Sequence, residues 1–333
     1  MIVNTPDDIT AAVLAELEGA SDARFRQIMG AAVRHLHAFA REVQLTEVEF
    51  QQACAVVARL GQCSTASHNE VVLAAGSTGL SALVCLINNA SNNTSNNASK
   101  NAGAERGTTA NLLGPFWRAD APRTANGASI VRGPTPGLPL LVNAWVHDDQ
   151  GRPVAGAEVD IWHSSTEGYY ENQDASQPDM NLRGKFTTDA AGHIAFQSIK
   201  PAGYPIPVDG PVGDLLRAQG RHNMRPAHIH FLIHKSGFKT QFSQVYSSDD
   251  PHLTSDVQFG VTQRLVGHYV RHDGVKEPLP GVSGDWFSLE YHFVIEPGVA
   301  RWPRAPITGR AVGVRAPLAV LQPRKSRKPG DPS

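Results

Sequence analysis

The stretch Arg225-Pro226-Ala227-His228-Ile229-His230-Phe231-Leu232-Ile233 reads as a β-strand. Side chains alternate between the two faces of a strand. His228 and His230 therefore share one face, roughly 7 Å apart at a rise of about 3.3 Å per residue, while Ile229 and Phe231 share the other. Two imidazoles side by side on an otherwise apolar strand are a metal-ligand arrangement. A strand with two surface histidines is the alternative that this pattern alone leaves open.

From Thr108 onward, Pro and Gly punctuate similar short runs at 140–146, 158–162, 184–187, 194–199, 228–233, 241–246 and 286–295. Asp149-Gln150-Gly151-Arg152-Pro153 and Asp189-Ala190-Ala191-Gly192 lie between runs as turns. Many short strands with regular turns predict a β-sandwich or barrel over residues 108–322. The tail, residues 323–333, is charged and proline-rich and reads as disordered.

Residues 5–88 read as helices. Thr5-Pro6-Asp7-Asp8 supplies an N-cap, a proline at the first helical position and acids for the helix dipole. Phe25, Ile28, Met29, Ala32, Leu36, Phe39 and Val43 recur at three- and four-residue steps. Thr46-Glu47-Val48-Glu49 is a capping box, followed by the stripe Phe50, Ala53, Cys54, Val57 and Leu60. Such stripes are first of all core, packed on a larger body or on a second subunit. A fourth apolar segment, 71–87, is interrupted at Gly76 and Gly79. Residues 88–107 are low-complexity Asn, Ser and Ala and predict an exposed loop. The expected organisation is mainly β with a helical N-terminal region: a helical dimerisation domain over 1–107, then the β-sandwich domain.

The chain's 333 residues suffice for two domains. A formal net charge of -1 gives no basic excess for nucleic acid or an anionic membrane. The three cysteines, Cys54, Cys63 and Cys85, suit buried thiols in a reducing compartment. The first residues lack the basic and apolar regions of a signal peptide, and no apolar run is long enough to span a membrane. A cytoplasmic location is the expectation.

Four blocks converge on the sandwich: Asp160-Ile161-Trp162-His163 running on to Gly168-Tyr169-Tyr170; Gly203-Tyr204-Pro205-Ile206-Pro207 running on to Gly210-Pro211-Val212-Gly213; Gly220-Arg221-His222 running on to Arg225 and the histidines; and Asp249-Asp250-Pro251-His252-Leu253 with Ser255-Asp256-Val257-Gln258-Phe259-Gly260-Val261. With Leu112-Leu113-Gly114-Pro115-Phe116 upstream, they resemble the intradiol ring-cleavage dioxygenases. The branch they are most similar to is that of hydroxyquinol, catechol and chlorocatechol 1,2-dioxygenases. The resemblance covers residues 20–295, the helical region included.

The resemblance implies a non-haem Fe(III) ion held by Tyr170, Tyr204, His228 and His230. Tyr169 competes with Tyr170 for the first place, but neighbours on a strand face opposite ways. Phenolate oxygens are hard anionic donors and favour ferric over ferrous iron. His163 and His222 fall near the site and read as structural. The resemblance further implies that Arg225 stabilises charge developing on the ring, that Tyr204 leaves the metal and takes a proton, and that Gln241 lies near the bound oxygen. Leu73, Gly76, Leu113, Pro115, Phe116, Ile206 and Pro207 match substrate-wall positions. Gly76 departs from both branches, where an acid or a proline is usual, and is expected to leave room for a ring substituent. The implied reaction is intradiol cleavage of an aromatic ortho-diol by O2. Hydroxyquinol, giving a hydroxymuconate or maleylacetate, is the first choice, and catechol or a substituted catechol, giving cis,cis-muconate, the second. A non-catalytic β-sandwich binding module is the alternative from another class. A homodimer, with a phospholipid or fatty acid at its helical interface, is the implied assembly.

Overall fold

The structure, a computed structural model, describes residues 2–94, 107–274, 282, 284–313 and 315–323. Strand alternation builds its centre. Three residues of one strand, Ile229, Phe231 and Ile233, enter a core shared by two sheets, while His228, His230 and Leu232 face the other way.

The strands are β1 (Pro139–Asp148), β2 (Glu158–Trp162), β3 (Arg183–Thr187), β4 (His193–Ile199), β5 (Tyr204–Pro205), β6 (Met224–Arg225), β7 (His228–His234), β8 (Gln241–Ser247), β9 (Val266–Gly267), β10 (Val270–His272) and β11 (Trp286–Ile295). One sheet runs β10-β11-β1-β4, the second β3-β2-β7-β8-β9, and β5 pairs with β6 alone. Pairing is antiparallel except for β1 with β11 and β8 with β9. Leu140, Val142, Ala144 and Val146 of β1 meet Val159 and Ile161 of β2 and the apolar face of β7 between the sheets. This is the expected sandwich. β7 is buried on both faces because its second face forms the floor of another cluster, containing Leu73, Phe116, Trp162, Tyr170, Tyr204 and Ile206.

The helices are α1 (Pro6–Leu17), α2 (Ala23–Glu42), α3 (Glu47–Gln62), α4 (Glu70–Ser77), α5 (Leu80–Thr94) and α6 (Pro211–Gln219). Residues Met1–Ala58 and Arg59–Ser333 form two compact units. In the first, Thr5 and Asp8 cap α1 reciprocally, and Asp22 accepts from Arg24 N and Phe25 N at the start of α2. The apolar stripes are not core within the chain: Phe25, Ile28, Leu36, Phe39, Val43, Phe50 and Val57 are all exposed. In the second unit, Gly79, with φ +77°, separates α4 from α5. No single helix among the described residues is long and apolar enough to cross a membrane; α4 and Leu80–Asn89 pass that test only as a pair bent by 70°.

Several expectations change, the buried thiols among them: Cys54 is exposed and Cys63 and Cys85 are half-buried. Residues 88–94, read as loop, continue α5, and 95–106 lie outside the described residues, as does most of the tail, 324–333. Gly210-Pro211-Val212-Gly213 opens α6: proline suits a helix's first position, and buried Glu70 accepts from Val212 N at 2.9 Å. The described residues of 298–323 carry no helix or strand, yet Ile307 is buried and the segment is hydrogen-bonded along the second unit.

Candidate metal centre

His228 and His230 stand on the site face of β7. Tyr204 begins β5 and pairs across the two-stranded ladder with Arg225. Tyr170 caps the helical turn Glu171–Gln173, where its own N–H donates to Gln173 Oε1 at 3.0 Å. The fold brings the ends of these four side chains together. Tyr170 Oη lies 3.2 Å from Tyr204 Oη, 3.1 Å from His230 Nε2 and 3.5 Å from His228 Nε2, and the two Nε2 atoms are 3.2 Å apart. Metal–donor bonds of about 2.0–2.2 Å place adjacent donors about 3.0–3.6 Å apart, so one ion fits the set. Among the described residues no group of three or more His, Cys, Asp and Glu could hold a metal. The phenols complete this one.

Each ring is aimed by its neighbours. His228 Nδ1 donates to Pro226 O at 2.6 Å, which leaves the Nε2 lone pair facing the site. Trp162 stacks on His230 at 4.6 Å. Gly114, with φ +75°, comes so near that an added Cβ would sit 3.2 Å from His230 Cε1. Tyr169 points elsewhere: its Oη donates to Ala316 O at 3.1 Å and accepts from Leu318 N at 3.0 Å.

Burial pushes the Tyr170 phenol well above its ordinary pKa, and Tyr204 adds to the rise. Burial also raises Tyr204, against the pull of Arg225. The imidazoles move the other way. Burial, then Arg225, holds His228 down at about 3, and burial, then His228, holds His230 well below its ordinary value. At neutral pH the histidines are neutral donors. A cation is what would make phenolates favourable here.

Arg225 is fully buried beside the cluster. Burial opposes its charge, but Asp256, Tyr246 and Tyr204 more than offset that, and its pKa lies well above the ordinary value. Its Nε and Nη2 grip Asp256 at 3.0 Å each, Nη2 also donates to Gln244 Oε1 at 2.8 Å and Tyr246 Oη at 3.0 Å, and Nη1 lies 3.3 Å from His228 Nε2.

Gln241 is placed away from the site. Its Nε2 donates to Thr108 O and Ser243 Oγ at 3.0 and 2.9 Å. On β8 the residues opposite His228 and His230 are Tyr246 and Gln244. Gln241 has the wrong parity to share their face. The same parity was the available signal for Gln244 and Tyr246, while nothing in the sequence paired Asp256 with Arg225. His163 is internal: burial pushes its pKa down to about 4, and its ring nitrogens engage Ser164 O and Ser198 Oγ. His222 is half-buried and accepts from Met224 N.

Of the wall positions, Leu73, Phe116 and Ile206 lie in the apolar cluster with both phenols, Leu113 packs against it, and the Phe116 ring is 4.7 Å from Tyr170. Pro115 is buried and Pro207 half-buried. Gly76 does not leave an open space. A Cβ there would lie 2.9 Å from the carboxamide carbon of Gln258, which fills the room. That carboxamide makes no hydrogen bond among the described residues.

Family models place this geometry. "Dioxygenase" matches residues 112–297, and "Catechol dioxygenase N terminus" matches 22–96. The chain belongs to the intradiol ring-cleavage dioxygenase family. It is 38% identical to a hydroxyquinol 1,2-dioxygenase of Rhizobium sp., across 85% of this chain and 92% of that one. A solved hydroxyquinol 1,2-dioxygenase of Pseudomonas putida aligns with a TM-score of 0.73 at 38% identity, covering 88% of this chain and 99% of that one. The catechol 1,2-dioxygenase structure of Pseudomonas arvilla gives 0.75 at 29%, covering 91% and 95%. Dioxygenases of this family are generally dependent on non-haem iron and act on an aromatic diol and O2.

Asp256→Asn keeps the shape of the Arg225 clamp and removes its countercharge. Breaking a buried pair from one side costs about 3–5 kcal/mol. Urea unfolding of the variant is expected to show a loss of that order, at an unchanged slope.

Proposed function

We propose that this dioxygenase opens the ring of hydroxyquinol (benzene-1,2,4-triol) between its adjacent hydroxyl-bearing carbons, using Fe(III) held by Tyr170, Tyr204, His228 and His230. The observation that carries this reading is the convergence of four neutral donors, at 3.1–3.5 Å, beside a buried guanidinium. Ferric iron held there would supply a Lewis acid that favours the deprotonated diol and would activate its ring toward O2.

The chain's own residues do the rest. His228 and His230 are aimed before any ligand arrives, so little reorganisation is needed. Tyr204 stands on a two-residue strand whose one partner is the equally short β6. As phenolate, its Oη takes the proton of one substrate hydroxyl. Arg225, immobilised by Asp256, Gln244 and Tyr246, presents a fixed positive charge to the ring oxygen on which negative charge grows. Leu73, Leu113, Phe116 and Ile206 enclose the ring and exclude water, with Pro115 and Pro207 shaping the same two segments. The carboxamide of Gln258, standing where Gly76 has no side chain, is the polar group offered to the third hydroxyl.

Hydroxyquinol is favoured by the names of relatives that share 38% of aligned residues. Catechol is the second reading, favoured by the neutral Gly76–Gln258 contact, which offers no carboxylate to a third hydroxyl. We also propose that residues 1–107 form a dimerisation domain, that the exposed stripe of α2 lies against a second copy or a bound fatty acid or phospholipid, and that the enzyme is cytoplasmic. An apolar row of this extent is unlike the scattered apolar residues of an ordinary surface.

Metal analysis separates the ligands. His230→Ala is expected to lose nearly all iron, and Tyr204→Phe to keep part of it while losing most activity; equal loss in the two contradicts their distinct roles. Steady-state assays with product identification test the substrate. Gln258→Leu and Gly76→Ala, whose methyl must push the carboxamide aside, are each expected to lower kcat/KM for hydroxyquinol about tenfold relative to catechol, the equivalent of one hydrogen bond. Equal effects on both substrates remove Gln258 from recognition.

A further inference from the structure

The loop that presents Tyr170, residues 163–182, has no strand and only one short helical turn. No sheet ladder fixes its position. Arg118 and Arg183 hold it at Glu171, Arg132 at Met180 O and Ser67 O at Asn172, and the chain beyond the matched family segment adds a further set of contacts. Arg310 reaches Glu171 Oε2 at 3.1 Å and donates to Asp174 O and Gln177 O, and Ala311 N donates to Asn172 O at 2.7 Å. Arg315 pairs with Glu167 and Asp174 at 2.9 and 3.0 Å and lies 4.4 Å from the centre of the Tyr169 ring. The Tyr169 hydroxyl is bonded to Ala316 and Leu318.

The same segment continues to the second phenol. Buried Asn223 donates to Ile206 O at 2.7 Å and to Ala319 O at 2.9 Å, and accepts from Leu321 N at 2.9 Å. It thereby fastens the Tyr204-Pro205-Ile206 turn to the C-terminal segment. The two loops and the segment meet at Gly168, where an added Cβ would lie 2.8 Å from Tyr204 Cβ and 3.3 Å from Leu318 Cδ1. None of these contacts touches the hydroxyl oxygen of Tyr170 or Tyr204.

We propose that residues 306–313 and 315–321 are a strap that sets the spacing of the two phenols, with Tyr169 and Arg315 as positioning residues that fasten it beside Tyr170. The proposal rests on the iron reading above. Its consequence is that loosening the strap changes how the phenols meet the metal while leaving the sandwich intact. Such supporting contacts around a metal site typically alter affinity 10–100-fold.

The test uses the full-length, iron-loaded protein and the variants Tyr169→Phe, Arg315→Gln and the two combined. Two quantities are read: the rate at which a strong chelator extracts iron, and the position of the visible phenolate-to-iron absorption band. Thermal midpoints of the iron-free proteins provide the control. Tyr169→Phe removes one oxygen and keeps the ring, so it preserves the fold even if the double variant does not. The expected result is extraction about tenfold faster in Tyr169→Phe, more in the double variant, with a displaced band. An unmoved band overturns the strap, whether extraction is unchanged or the thermal midpoint alone falls. A wild-type protein that holds iron without a phenolate band overturns the iron reading and the strap with it.

Discussion

Four buried donor atoms with their lone pairs turned toward one another are the constraint on which this molecule depends. Packed at 3.1–3.5 Å, the phenols and imidazoles have two hydroxyl protons among four lone-pair-bearing atoms, and Arg225 Nη1 approaches His228 Nε2 at 3.3 Å. Burial drives each toward its neutral form, phenols up and imidazoles down. A multivalent cation resolves both conditions, because it accepts every lone pair and repays the ionisation of the phenols. The cost of holding such a cluster open falls on the surrounding fold, and most of the notable features of the second unit serve that purpose.

The sandwich supplies the rigid half. β7 is central in its sheet, with β2 and β8 on either side, so its histidines inherit the precision of two ladders. Ile229, Phe231 and Ile233 anchor that strand in the core. The phenols come from less regular segments, a helical turn and a two-residue strand. That division suits the chemistry we propose, with neutral ligands that stay on the sheet and an anionic ligand that accepts a proton on a less regular segment. Arg225 joins the halves, since it pairs with Tyr204 through the backbone and approaches His228 through its side chain.

Much of this was legible in the sequence, for physical reasons. Period-two alternation around His228 and His230 assigned both faces of β7, and β-type runs between turns marked the sandwich. The ligand residues needed the resemblance, because nothing in the spacing of Tyr170 and Tyr204 brings them to one point. Gln241 went astray through parity: three residues along a strand reverses the face, and Gln244 holds the position instead. The stripes on α2 and α3 were correctly periodic, but periodicity reports that a face is apolar and not what covers it. Gly76 read as vacant because a residue distant in sequence, Gln258, fills the space. The C-terminal segment carries no periodic pattern at all. Its role rests on backbone hydrogen bonds and on arginines meeting carboxylates far away in the chain.

Resonance Raman spectroscopy of the iron-loaded protein, excited within its visible absorption, addresses the donor set directly. Phenolate ring modes are expected in the wild type, diminished in Tyr170→Phe and in Tyr204→Phe and unchanged in number in Tyr169→Phe. A protein that retains iron but shows no phenolate modes, or loses them with Tyr169 and not with Tyr170, would contradict the assignment of Tyr170, Tyr204, His228 and His230 as the metal centre.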